Sequence, residues 1–490
     1  MDRYEKLMAT CEALLRAGRD HQVAKLLAKV NTASVPRKWR LPFASLCRRA
    51  AHVSMGLRIL TPVVRGKKST ASVREQAEYA ILLQRCGAIQ EALVILRGLD
   101  GKSAPEKSLY QALCHFSYWE FERALPHLEE YVASDLTPDE ALTAEVNLAR
   151  AHVAIGNFAK AEPLLHDLIE RARSSEASRI HGNCLELLSQ AYLLTDRLGE
   201  ADRALTEAEG IFAEGKSFER LLLGKGRAFL EAQKTGSTEP LLKFREQALA
   251  WPHAQTVREA DLFTLTIDFD EAKFEHLYFG TPYKMYRRRV ERLLGWNTER
   301  SSYVYGDSNA LVTLDVASGE ATNGKKLPKG SVIHRVVEVL SRDFYRPVKV
   351  GDLHNSLFPG EFFNIFSSPV RVRQAIFRAR EWMKENRLPL HISGTKGNYS
   401  LAPKEGLALE VPLYRRPVGL NSGLMTDLKD HWPEGSSFTA KEAREKLKVS
   451  SSAFQRFLAW GVANQRLEKF GAGSSTVYFV LTPPNRRRAG

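Results

Sequence analysis

Residues 148–165, LARAHVAIGNFAKAEPLL, carry a spacing that decides how the first half of the chain folds. A small residue, Ala149, is followed nine positions later by bulky Phe158, three after that by Ala161 and four further on by Leu165. The same order recurs as Ala80, Ile89, Ala92, Leu96; as Ala112, Phe121, Ala124, Leu128; and as Ser189, Leu198, Ala201, Leu205. Helices approach closely only where small side chains face each other, and bulky neighbours then fill the groove against the next pair. The spacing therefore predicts antiparallel helix pairs, with Gly87 and Gly156 in the turns between partners.

The third-place alanines lie 32, 37 and 40 residues apart, and the pattern resembles the tetratricopeptide (TPR) family of helix-turn-helix repeats. Residues 1–70 and 216–252 carry weaker versions of it, as end units of a stacked array do. The resemblance implies a TPR-like α-solenoid over residues 1–269. Such arrays present a concave surface, so a protein, peptide or small effector is the expected partner there, against the plainer reading of a passive scaffold.

Net charge separates the two halves. The chain carries +14 overall, yet residues 284–490 hold 34 Lys and Arg against 19 Asp and Glu, while the rest holds 37 against 38. A neutral half joined to a basic half predicts that only the second meets a polyanion. The N-terminus is charged at Asp2, Arg3, Glu5 and Lys6, and no apolar run is long enough to span a bilayer. Cys11, Cys47, Cys86, Cys114 and Cys184 show neither a CxxC pair nor zinc spacing, and read as reduced packing residues. These features predict a cytoplasmic, nucleoid-associated protein without membrane contact.

From Ser301 the texture changes to short strands (YVY, LVTLDV), then the helices SVIHRVVEVLSRD and VGDLHNSLF, a long helix in SSPVRVRQAIFRAREWMKEN, and a hairpin around Gly394 to Gly397. In that order residues 310–402 resemble the OmpR/PhoB-type winged helix, with VRVRQAIFRAR at its recognition helix and KGNYSL at its wing. On the long helix, Val372, Ala375, Ile376, Ala379, Trp382 and Met383 form the expected buried stripe. Arg371, Gln374 and Arg378 share the opposite face, where Arg can read guanine and Gln adenine; Arg373 and Arg380 flank it within reach of phosphates. Lys396 at the wing tip is a further contact with phosphate or the minor groove. The plainer reading is a solvated, charged helix face.

A second unit follows EVPLYRRPVG. It has a helix at 422–431, Thr439 and Glu442 at capping-box spacing, a candidate recognition helix in KVSSSAFQRFLAWGVANQ carrying Gln455 and Arg456, and a hairpin in RLEKFGAGSSTVYFV. It resembles a generic winged helix-turn-helix, a frame that also serves for protein docking. The expected architecture is thus mainly α: an array (1–269), a basic, aromatic connector (270–300), a first winged helix (301–403), a linker (404–420), a second winged helix (421–484) and a basic tail (485–490).

Residues 210–217, GIFAEGKS, match a phosphate-binding loop, but helical residues precede them where that loop needs a strand. Nucleotide hydrolysis is rejected on that ground, and no catalytic residue, metal or cofactor is assigned. The sequence points to a bacterial-type transcription regulator that binds double-stranded DNA, alone through tandem readers or as a homodimer. The rival is an interaction adaptor whose winged helices serve protein or RNA contacts.

Overall fold

The small residues of the repeat spacing lie where helix backbones meet. The computed structural model describes residues 3–16, 19–66, 71–213, 218–251, 253–307, 309–394, 397–414, 421–447, 449, 451–471 and 476–481. In it Ala80, Ala112, Ala149 and Ser189 are at most 1% exposed, and Ala92, Ala124, Ala161 and Ala201 are fully buried. The helix pairs are Val73–Cys86 with Ile89–Arg97, Glu106–Phe116 with Phe121–Val132, Pro138–Ile155 with Phe158–Ser174, and Ser178–Leu193 with Leu198–Ile211. In every pair the bulky residue of the spacing opens the second helix.

Two positions before it the backbone turns left-handed each time, at Gly87 (φ 101°), Trp119 (60°), Gly156 (80°) and Asp196 (59°). Glycine meets that conformation without a Cβ clash, which is why only two of the four turns announce themselves in the sequence. Successive helices pack on one another, and alternate helices also touch, as Pro138–Ile155 does Ser178–Leu193. Phe218–Thr235, Glu239–Leu249 and Ala254–Ile267 continue the series.

The segment expected as a connector, 270–300, is instead part of this helical body. It forms helices Glu271–Phe279 and Lys284–Leu294, with Phe274, Leu277, Tyr286 and Val290 buried. Its aromatic residues need cover, and its arginines turn inward to find partners. Arg289 reaches Glu259 at 3.1 Å, where Lys225 also binds at 2.7 Å. Burial pushes the Glu259 carboxyl up, but the two cations hold it down at about 2.

Among the described residues the chain is mainly helical, with three small sheets confined to its C-terminal part. Strands β1 (Ser302–Gly306) and β2 (Val312–Asp315) are followed by helix Val332–Leu340, β3 (Val348–Lys349), and helices Val350–Leu357 and Ser368–Glu385. Then come β4 (Leu390–Ser393), β5 (Asn398–Pro403) and β6 (Leu407–Pro412). The first sheet has order β1-β6-β2, with Ser302 opposite Pro412 in the antiparallel pair and Val312 opposite Leu407 in the parallel one. Residues 404–412, expected to begin a linker, therefore hold the central strand of that sheet. The second sheet, β3-β5-β4, contains the expected hairpin, β4 with β5.

The last unit has helices Ser422–His431, Ala440–Leu447 and Ser451–Ala463, with β7 (Ser437–Thr439), β8 (Leu467–Phe470) and β9 (Val477–Val480) in order β7-β9-β8. Its predicted capping box is present: Glu442 N–H donates to Thr439 Oγ1 at 3.3 Å, and Thr439 N–H to Glu442 Oε2 at 2.9 Å. The tail at 485–490 lies outside the described residues.

The C-terminal units dock on the helical half through a backbone-to-backbone contact. A Cβ on Gly351 would lie 2.6 Å from Ala88 N and 2.8 Å from the Cys86 carbonyl, and one on Gly87 would lie 2.8 Å from Lys349 Cβ. No side chain fits between these two turns. Gly351→Ala is expected to separate them at a cost of about 1–3 kcal/mol. Proteolysis should then cut faster between the halves; unchanged protection would show that the contact is loose.

Beside this contact the loop 358–367 plugs into the array. Phe363 and Ile365 are 1% and 5% exposed within the core built from Leu57, Leu82 and Leu93. Phe363 N–H donates to Glu91 Oε2 at 2.7 Å, and Arg65 holds the other carboxylate oxygen. Glu91 is fully buried, which pushes its carboxyl up to about 7 although Arg65 opposes the shift.

The folded chain thus keeps a proton on Glu91 that the unfolded chain releases near the ordinary carboxylate value. Stability falls as pH rises between about 4.5 and 7, on the order of 3 kcal/mol across that window. Glu91→Gln keeps an acceptor for Phe363 and removes the charge. Its urea midpoint, measured at pH 5.5 and 7.5, should lack this component of the wild-type slope.

Candidate nucleic-acid interface

Helix Ser368–Glu385 starts with Pro369 in its first turn, where a missing N–H costs nothing. Its buried stripe is Val372, Ala375, Ile376, Ala379 and Met383, with Trp382 half-buried at the edge. At 100° per residue the direction opposite this stripe runs through Val370, Gln374, Phe377 and Glu381. All four are exposed, Phe377 at 62%. Arg373 and Arg378 flank them, also exposed, and neither has a hydrogen bond or ion pair among the described residues.

Two arginines expected on or beside this face are held elsewhere. Arg371 sits on the margin of the core, pairs with Glu361 and lies 3.9 Å from the Phe358 ring centroid. It ties the loop 358–367 to the start of the helix. Arg380 donates to the Ile392 carbonyl through Nε at 3.1 Å and Nη2 at 2.8 Å, clamping the β4–β5 hairpin to the helix. Lys396 at the hairpin tip lies outside the described residues.

Of the residues expected on the second unit, Gln455 is exposed. Arg456 turns toward the first unit. It donates to the Gly360 carbonyl at 3.0 Å and lies 4.8 Å from the Phe362 ring centroid. Arg335, on helix Val332–Leu340, answers this contact with a 2.9 Å ion pair to Asp427. The two units therefore meet through charged groups taken from both.

Gln374 and Arg378 stand one turn apart, unobstructed, with Phe377 between them. Such a set can offer one bidentate amide, one bidentate guanidinium and an apolar ring to groups roughly 6 Å apart along the helix, about two base-pair steps. The sequence reading missed Phe377 and Glu381. The signal was available, because an aromatic residue outside the buried stripe must face solvent.

The phosphate-loop match begins inside helix Leu198–Ile211, and its GKS portion lies outside the described residues. Residues 263–270, FTLTIDFD, end in two aspartates as the acidic strand of an ATPase could, but they run mostly within helix Ala254–Ile267. No group of three or more His, Cys, Asp or Glu among the described residues could hold a metal ion, and no helix there is long and apolar enough to cross a membrane. Neither protein-family models nor curated proteins give a match to the chain.

Proposed function

We propose that the chain is a sequence-specific DNA-binding transcription regulator in which a TPR-like array carries two winged helices. The observation behind this reading is the open face of helix Ser368–Glu385. Gln374, Phe377 and Arg378 are free to meet base edges, and Arg373 is free to meet phosphate. The β4–β5 hairpin beside it, held by Arg380, is the wing. The segment 301–412 thus acts as the principal reader.

Duplex DNA binding followed from 50 to 200 mM salt tests this. A reader making phosphate contacts through Arg373 and its neighbours should lose affinity along a straight log–log line, with a slope of about −0.9 per contact. A binding constant indifferent to salt would reject contact through this basic face.

For the second unit the adaptor reading is favoured by one observation. Arg456, one of its two base contacts expected from sequence, is occupied at Gly360 and Phe362. The second winged helix then serves to brace the first, and Gln455 is left as its exposed polar group.

A further inference from the structure

Between the helical half and the first sheeted unit lies a cavity of about 770 Å³, a size that suits an organic ligand. Trp119, Trp251 and Phe344 supply rings to its wall, and Arg245, Arg346 and Lys349 supply cations. Among the described residues no aspartate or glutamate lines it. We propose that this cavity binds an amphipathic organic anion with an aromatic body.

The charges around it are unevenly matched. Arg245 is neutralised by Asp261 behind the wall. Asp343, however, already pairs with Arg258, and Arg346 approaches it only to 3.9 Å. Lys349 has no ion pair among the described residues and donates to the Arg85 carbonyl at 3.0 Å. Asp352 is within electrostatic reach of both Arg346 and Lys349 but does not line the cavity. An anion entering between these cations finds positive potential in a partly desolvated place, where a charge-assisted contact is strong.

Two residues of the wall also carry buried polar atoms. His253 Nδ1 and Gln255 Nε2 are buried without a hydrogen-bond partner. The rings themselves favour a flat apolar body over an inorganic ion.

The cavity has walls from both halves. Trp119, Arg245 and Trp251 belong to the helical body, whereas Phe344, Arg346, Lys349 and Asn398 belong to the sheeted unit. Asn398 opens β5, next to the tip of the β4–β5 hairpin. An occupant therefore bridges the array and the hairpin. Its role as an effector rests on the DNA-reading proposal; the binding site does not.

The test uses the full chain without DNA, so its outcome is independent of whether the protein reads sequence. The probes are 8-anilinonaphthalene-1-sulfonate and its neutral analogue N-phenyl-1-naphthylamine, followed by fluorescence. The sulfonate should saturate at one site per chain and bind about tenfold more tightly than the neutral probe, a difference of about 1.4 kcal/mol. Combining Arg346→Met with Lys349→Met should remove that preference while leaving the neutral probe within about twofold. Equal affinity for both probes in the wild-type chain would overturn the proposal even if the variant failed to fold. So would a variant that folds and keeps the preference.

Discussion

Asp343→Ala is expected to lower the stability of the whole chain by about 3–5 kcal/mol, the usual effect of leaving a buried charge without its partner. Arg258 is 1% exposed and its ion-pair partner Asp343 is 5% exposed, 2.5 Å away. The guanidinium lies 5.0–5.8 Å from the ring centroids of Tyr345, Tyr283 and Tyr286. Those rings exclude the water that would otherwise solvate the orphaned cation. Arg258 belongs to helix Ala254–Ile267 and Asp343 follows helix Val332–Leu340, so the pair also joins the two halves.

Asp343 does a second job by accepting from the backbone N–H groups of Tyr345 and Arg346 at 3.0 and 2.9 Å. Asp343→Asn preserves an acceptor there and removes only the charge. If the ion pair dominates, the asparagine variant should show most of the alanine loss in a denaturant titration. If the turn dominates, asparagine should restore most of the stability. A loss below about 1 kcal/mol in the alanine variant would contradict the account of the pair.

The second large effect concerns the open helix face. Gln374→Ala and Arg378→Ala should each cost about 1–3 kcal/mol in binding to a preferred duplex and relax preference at one base position. Arg373→Ala should instead weaken all sequences alike and reduce the salt slope by about 1. Arg371→Ala makes the useful contrast. Its side chain is committed to Glu361 and Phe358, so its main effect should be on stability, with base preference retained. A profile in which Arg371 changes base preference and Arg378 does not would mean that the helix meets DNA on another face.

The helix pairs were legible because close packing imposes a local rule. Ala92, Ala124, Ala161 and Ala201 must be small whatever the rest of the chain does. The left-handed turn at Trp119 was not legible, since tryptophan does not signal that conformation, and Asp196, of a type that tolerates it, gives a weaker signal than glycine. Strand β6 was missed for a different reason. As a central strand it is paired on both sides, and Leu407, Ala408 and Leu409 are all buried, so the alternation that marks a half-exposed strand is absent.

The docking between halves depends on contacts distant in sequence. Nothing near Gly351 announces that Ala88 will lie against it, and nothing near Phe363 announces Glu91. The same holds for the arginines. Arg371, Arg378 and Arg380 are the same residue type on one helix, yet only Arg378 among them lacks a partner in the described fold. Positive charge in the sequence located the basic half, while the partners found by Arg287, Arg289, Arg371 and Arg380 decided how much of it faces outward.

Because Phe363 and Ile365 belong to the core of the array, the decisive measurement uses the intact chain rather than its C-terminal half. Random duplex DNA is presented to the full-length protein at about 0.15 M salt, where weak phosphate-only binding is suppressed, and bound molecules are sequenced through successive rounds. The account predicts an enriched motif in which Gln374→Ala and Arg378→Ala each relax one position, two base pairs apart or fewer. Absence of any enriched motif, with binding that merely collapses as salt rises, would contradict a sequence-reading regulator.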